Sequence, residues 1–216
     1  KSKKPKNQIG RYLRELSIVV LGVAITLSVG IWINNAKDKK DLKLYLNAIK
    51  IELEDNLKNF EKDKQPLELA VKYGKYLNSK APNSLHQDTI INNFASQGGV
   101  YFVKKYTTKR NAFEMLKNSG LMRLIEDKDI LLFLWDTYTK LDNAEFLLNE
   151  FIQFKKDEMV LEMHNNFNAP APLYNFYTQS MVPNQMLIVC NQAIELLKIA
   201  LSRFDEIENG KTLKQK

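Results

Sequence analysis

The chain has very little of the chemistry that disulfides, metal sites and hydrolases use. Its 216 residues include one cysteine and two histidines. A single cysteine excludes an intrachain disulfide and any metal site built from several cysteines. His86 and His164 have no second histidine at ligand spacing, and zinc needs three or four converging ligands, so we expect no metal site. Cys190 lies in the apolar stretch MLIVCNQAIELL, which favours a buried thiol over a reactive one.

Catalytic motifs are missing as well. The sequence contains no G-x-S-x-G, no Walker loop, no G-x-G-x-x-G and no H-E-x-x-H. Gly98 and Gly99 follow a helical pattern and lack a subsequent Lys-Ser or Lys-Thr, which indicates a turn and not a phosphate-binding loop. We therefore expect a protein that is not an enzyme, with no catalytic residues, no cofactor and no metal.

What the chain does contain is one long uncharged run, LSIVVLGVAITLSVGIWI, from Leu16 to Ile33. As a helix it reaches about 27 Å, close to the ~30 Å hydrocarbon core of a bilayer. A cleavable signal peptide usually has an apolar region of about 7–15 residues, followed by a small-x-small site. This run is longer, and its small-x-small steps, such as Ser28-Val29-Gly30, lie inside it. We predict an uncleaved transmembrane helix over residues 16–36.

The charges that flank the run predict its orientation. Residues 1–15 contain six Lys or Arg and one Glu, whereas the first fifteen residues after Ile33 contain four Lys and two Asp. The positive-inside bias places residues 1–15, a basic tail, in the cytoplasm and the larger part in the periplasm, with the anchor in the inner membrane. Beyond residue 34 the chain has 26 basic and 24 acidic residues. We therefore expect contact with anionic lipid and no nucleic-acid partner.

The region after the span has the pattern of long amphipathic helices. Apolar residues recur at steps of three and four from Leu42 to Phe60, which predicts that the transmembrane helix continues and ends before Pro66. Later patterns predict a short helix that Gly120 terminates and two long helices after it. We predict an all-α protein in which an N-terminal transmembrane helix continues into an antiparallel helical bundle. The predicted bundle domain covers residues 37–209, with a frayed tail at 210–216.

Two blocks of the sequence resemble one protein family. The first, GRYLRELSIVVLGVAITLSVGIWINNAKDKKDLKLYLNAIKIELEDNL, combines a polar lead-in, an apolar anchor, an Asn-Asn exit and a leucine-striped helix with acids. The second, NAFEMLKNSGLMRLIEDKDILLFLWDTY, combines an aromatic-x-x-Leu helix, a Ser-Gly stop and an acid-capped helix that ends in aromatics. Both are similar to a family of small bitopic membrane proteins from Bacteroidota, a domain of unknown function. The resemblance implies a membrane-anchored helical protein and supplies no catalytic residues.

Two features are candidates for contact with a partner, and the first is in the span. Gly22, Thr26 and Gly30 follow one another at steps of four, and small residues on one face let two helices approach closely in lipid. We predict helix association along this face and along the leucine stripe after it. The stripe residues in this prediction are Leu42, Leu46, Ile49 and Leu53.

The second candidate is the loop NAPAPLYNFYTQSMVP, which prolines bound on both sides. The side chains we predict to contact a partner or ligand are Leu173, Tyr174, Phe176 and Tyr177. Aromatic rings in such a loop can line a ligand pocket or a partner surface. The alternative is that they fill one end of the bundle as core, because exposed clusters of this kind are uncommon on monomers.

Together these features predict a membrane-anchored, non-enzymatic structural or accessory subunit that self-associates or binds an envelope complex. The expected partners are membrane lipid and a protein, either a second copy of the chain or another subunit. The alternative is a sensor-like extracytoplasmic domain that binds a small ligand within its helical bundle. An apolar cavity lined by the loop aromatics favours the sensor, whereas a filled core with an exposed apolar stripe favours the subunit.

Overall fold

The computed structural model describes residues 8–98, 100–125, 127–165 and 170–208, and these ranges contain helices and loops but no β-strand. The all-α class predicted from the periodicity is confirmed. The predicted tail at 210–216 and residues 1–7 lie outside the described ranges. The α-helices in the described ranges are α1 (Gln8–Asn78), α2 (Gln87–Ile90), α3 (Asn111–Ser119), α4 (Lys128–Asn165), α5 (Tyr174–Gln179) and α6 (Val182–Glu208).

The first helix, α1, is uninterrupted over 71 residues and carries both the candidate span and the first helix of the bundle. The prediction that it ends before Pro66 is wrong, because Pro66 lies inside it. A proline inside a helix removes a backbone hydrogen bond and costs about 3 kcal/mol. The helix continues because Leu67 and Tyr73, beyond the proline, are buried. Burial of such side chains contributes roughly 2 kcal/mol each, enough to offset the proline.

Four segments run alternately away from the span and back toward it. α1 runs away, and α6 returns beside it, with the Cys190 thiol against the backbone oxygen of Phe60. Between α1 and α4 the chain returns through an extended segment, residues 102–110, and then through α3. Arg123, just after α3, forms an ion pair with Asp38 near the span, at 3.3 Å. α4 then runs away again and packs along α6.

The extended segment 102–110 has no helical hydrogen bonds, so its backbone groups need partners elsewhere. Asn149 of α4 accepts a hydrogen bond from the Tyr106 backbone N–H at 2.9 Å and donates one to its oxygen at 3.0 Å. Asn56 of α1 pairs with both backbone groups of Lys109 in the same way, at 2.8 Å each. Each carboxamide thus pairs with both backbone groups of one residue, as a neighbouring β-strand would. Through these hydrogen bonds the segment 102–110 links α1 to α4.

The start of α3 is also held from a distance. No side chain at its N-cap position bonds to the helix. Instead the buried Glu52 of α1 accepts hydrogen bonds from the Ala112 backbone N–H at 2.8 Å and from the Tyr138 hydroxyl at 2.6 Å. A carboxylate is favourable there because the free N–H groups of a helix start carry partial positive charge. Gly120 ends α3 in the left-handed conformation, with φ +72°, as the sequence predicts.

The buried apolar side chains form two clusters. The larger lies among α1, α3, α4 and α6 on the side of the bundle nearer the span, and it includes Leu53, Phe113 and Leu197. In it the rings of Phe113 and Tyr138 stack, with 4.3 Å between their centroids. The smaller cluster lies at the end of the bundle away from the span, around Tyr73, α5 and the residues just before α5.

Candidate functional site

The predicted span is the part of α1 that the rest of the chain leaves uncovered. Two helices in the described residues, α1 and α6, contain a window long and apolar enough to cross a membrane. The window in α6 is 39% buried within the bundle, whereas the window in α1 is 0% buried. The apolar side chains of α6 therefore have partners in the chain itself, and those of the α1 window do not. This exposed part of α1 is the candidate membrane span.

Gly22, Thr26 and Gly30 share one face of this span. A methyl group built on either glycine meets no atom within 4 Å. The Thr26 hydroxyl donates a hydrogen bond to the Gly22 backbone oxygen at 2.9 Å, so this polar group is satisfied inside the helix. The three residues form a shallow face on which another helix can approach closely, as pairing in lipid requires.

The leucine stripe after the span faces the inside of the bundle. Ile49 and Leu53 are fully buried in the larger cluster, and Leu42 and Leu46 pack against it half-buried. The structure therefore brings the four stripe residues to the core of their own chain and does not place them on the face of Gly22 and its neighbours. Association along the stripe would require those core contacts to break first.

The opposite side of α1 carries apolar side chains that the sequence prediction did not include. Leu44 and Ile51 are 60% and 52% exposed, and Ala48 lies between them. We call Leu44, Ala48 and Ile51 the outer strip. Met115 of α3, which is 56% exposed, lies beside it. The strip has the same three-and-four spacing as the buried stripe, so periodicity could detect both but could not tell which one the bundle covers.

A groove of about 650 Å³ borders the outer strip on the side of α3. We call it the acidic groove, because Asp41, Glu52 and Asp55 line it together with only one lysine, Lys109. Lys109 forms an ion pair with Asp55 at 2.6 Å, and its hydrogen bond to the carboxylate lowers the pKa of Asp55. Asp41 lines the groove and has no ion-pair partner within the described ranges.

A second groove, of about 620 Å³, borders the outer strip on the other side, and Leu44 lines both grooves. We call it the basic groove, because Lys39, Lys40 and Lys43 line it without any acidic residue. These lysines form no ion pair in the part of the chain that the structure describes. Its floor is apolar and comes from three helices and the loop before α4: Leu42, Leu46, Ile125, Ile130 and Phe204.

The predicted partner contacts lie at the far end of the bundle. The segment predicted as a loop contains a short helix, α5, and Tyr174, Phe176 and Tyr177 belong to it. Leu173, Phe176 and Tyr177 are buried in the smaller cluster, and Tyr174 is half-buried against it. The Tyr177 ring meets the Tyr73 ring edge to face at 4.8 Å between centroids, and its hydroxyl donates to the Val100 backbone oxygen. These three buried side chains act as core, which is the alternative that the sequence left open. Only Tyr174 keeps exposed surface for a partner.

The reactive residue types have unreactive surroundings. The Cys190 thiol is buried, and this burial raises its pKa to about 12, so the nucleophilic thiolate is scarce at neutral pH. His86 is exposed at the start of α2, and His164 is exposed with its ring 2.9 Å from the Val160 backbone oxygen. The described residues contain no group of three or more His, Cys, Asp or Glu that could hold a metal ion.

Comparison with protein-family models, with curated proteins and with solved structures finds no match to this chain. The family resemblance of the two sequence blocks therefore stays a prediction.

Proposed function

We propose that this protein is a non-enzymatic, membrane-anchored subunit that associates with a second copy of itself through α1. The observation that carries the proposal is the uncovered face of Gly22, Thr26 and Gly30 on a helix that continues without a break into the bundle. In lipid, helix association depends on close packing, and small residues on one face permit it. Because α1 continues from the span into the bundle without a break, pairing in the membrane also brings two bundles together outside it.

The structure favours this proposal over a ligand-binding sensor for two reasons. The loop aromatics that could line a ligand cavity, among them Phe176 and Tyr177, pack into the smaller cluster. The outer strip leaves leucine and isoleucine exposed beside each other on α1, and contiguous exposed apolar surface is a feature of interaction sites. The far end of the bundle is filled by the chain's own aromatic side chains, and the outer strip is exposed. This combination fits a subunit that binds another protein chain.

We further propose that the span lies in an inner membrane, with the basic tail in the cytoplasm in contact with anionic lipid and the bundle in the periplasm. The support is the charge difference between the two flanks. A cysteine introduced at the exposed Lys62 should react with a membrane-impermeant maleimide in intact spheroplasts. The native Cys190 is buried and gives a low background. Labelling that requires lysis would reverse the proposed topology.

Self-association is tested by placing larger side chains on the face formed by Gly22, Thr26 and Gly30. Replacing Gly22 and Gly30 with isoleucine should separate the two helices and reduce the dimer that chemical crosslinking detects in native membranes. The matched control replaces Ala24 and Ser28 with isoleucine, since these two residues lie on the opposite side of the same helix. If the control pair lowers dimerisation as much as the glycine pair, pairing does not use this face. A wild-type chain that is monomeric, or that crosslinks only to another protein, refutes self-association.

A further inference from the structure

We infer that the association face of α1 continues outside the membrane through the outer strip, so that two copies pair in parallel along both. This inference rests on the proposed self-association and specifies its geometry. Its occupant is a second copy of the chain, which places its own outer strip against the first.

The outer strip lies on the same side of α1 as the small-residue face of the span. An α-helix turns about 100° per residue, so the 18 residues from Thr26 to Leu44 make about five full turns. Leu44 therefore lies directly in line with Thr26 along the helix axis. Ala48 and Ile51 lie about 40° to one side and about 20° to the other side of this line. Gly22 and Gly30 spread about 40° to either side of it as well. A straight helix that pairs through the glycines therefore presents the outer strip to its partner.

The bundle core lies on the opposite side of α1, so it does not obstruct this pairing. The buried Ile49 and Leu53 lie about 140° and about 180° around the helix from Leu44. Two α1 helices can therefore meet along their outer strips while each bundle stays on the outside of the pair. The contact from Gly22 to Ile51 is about 44 Å of helix, half of it outside the membrane.

The charges beside the outer strip are complementary in such a pair. The acidic groove lies on one flank of the strip and the basic groove on the other. When two identical helices face each other in parallel around a two-fold axis, the left flank of one meets the right flank of the other. Asp41 of each copy therefore approaches Lys40 of its partner at nearly the same height. Neither residue has an ion-pair partner in the described part of its own chain, so both are available for this contact.

The membrane selects the parallel arrangement, because two copies anchored in one bilayer with the same topology cannot pair head to tail. Lys37 also lies on this face between the span and the strip, about 20° from the line through Thr26 and Leu44. It follows Ile33 by about 6 Å along the helix, where a lysine can extend its ammonium group to the lipid headgroups and away from its counterpart. The pairing therefore buries the outer strip without enclosing this charge.

The first test is disulfide crosslinking of the full chain in native membranes, in a Cys190→Ala background. Leu44→Cys should give a disulfide-linked dimer on mild oxidation, because residues near a two-fold axis face their own copies. The matched control is Leu132→Cys, which introduces a thiol at an equally exposed leucine at the same end of the bundle but on α4. It should give no dimer. Adding the Gly22→Ile and Gly30→Ile changes to Leu44→Cys should reduce its crosslinking.

These outcomes separate the inference from the proposed function. If chemical crosslinking shows a wild-type dimer but Leu44→Cys does not form a disulfide, self-association stands and the extension through the outer strip is wrong. Equal disulfide formation at Leu44→Cys and Leu132→Cys also overturns the extension, because it indicates random collision. If the wild-type chain is monomeric in membranes, both fail.

A charge exchange tests the complementary flanks. Lys40→Glu places two acids opposite each other, and Asp41→Lys places two lysines opposite each other, twice in each dimer. Each single variant should weaken dimerisation of the purified full chain about tenfold at low salt, since each dimer loses two exposed pairs and each pair is worth up to about fivefold. The double variant restores opposite charges across the interface and should recover most of the loss. A double variant as weak as the sum of the singles would contradict the parallel pairing.

Discussion

Replacing Lys155 with methionine should flatten the pH dependence of the stability of this protein between about pH 7 and about pH 8.5. Lys155 lies in α4 and is 3% exposed. Its ammonium nitrogen donates a hydrogen bond to the Phe102 backbone oxygen at 3.0 Å and lies 5.4 Å from the centre of the Tyr177 ring. No carboxylate in the described ranges pairs with it. Burial without a counter-ion lowers its pKa from 10.5 to about 7.

The sign and size of the effect follow from this pKa. In the unfolded chain Lys155 keeps its proton up to about pH 10.5, whereas in the folded chain it loses the proton as pH rises through about 7. The unfolded state then binds more protons, so the free energy of unfolding rises with pH in this window. Each pKa unit is worth about 1.4 kcal/mol, which gives a gain of about 1.5 kcal/mol from pH 7 to pH 8.5. Below about pH 7 the cost of the buried charge is complete and constant.

The measurement is urea unfolding of the full chain in a non-ionic detergent, followed by far-UV circular dichroism at several pH values in this window. It stops near pH 8.5 because the unfolded Cys190 thiol begins to ionise there, which lowers stability. The wild type should gain stability with pH, Lys155→Met should not, and the exposed-site control Lys156→Met should behave like the wild type. A rise that persists in Lys155→Met would show that another group produces it.

Three further substitutions test single contacts by the same unfolding assay. Gly74→Ala should destabilise by about 1–3 kcal/mol, because its methyl group would lie 2.9 Å from the Tyr177 backbone oxygen; unchanged stability would mean that α5 moves away freely. Asn149→Ala should cost about 1–3 kcal/mol, because both backbone groups of Tyr106 lose their partners; a negligible loss would mean that water replaces the carboxamide. Pro66→Ala should stabilise by about 1–2 kcal/mol, because it restores a helical hydrogen bond; lower stability would show that the proline is favourable here.

Local patterns in the sequence predicted a large part of the fold. The steps of three and four after Leu42 gave a helix with one buried face, and Ile49 and Leu53 do lie in the core. Gly120 ends a helix in the conformation that glycine adopts most easily. These predictions succeed because helical periodicity and a left-handed turn depend on neighbours within a few residues.

The predictions that failed or stayed open depend on distant parts of the chain. Pro66 locally favours a helix end. Beyond it, however, Leu67 is buried in the larger cluster and Tyr73 in the smaller one, and this burial maintains the helix. The predicted contact site was likewise incomplete. The sequence prediction included the leucine stripe, which contains Leu46, and omitted the outer strip, which contains Leu44. Both have helical spacing, and only the docking of α4 and α6 decides which one is covered.

By itself the sequence determined that this protein is helical, with an uncharged run at residues 16–33 long enough to cross a bilayer and a thiol at Cys190 in an apolar setting. Those properties follow from composition and short-range periodicity. Only the tertiary structure decided that Phe176 and its neighbours are core, that Glu52 caps a helix sixty residues away, and that the outer strip stays exposed. Burial and long-range hydrogen bonds depend on which segments meet in space, and local pattern does not specify that.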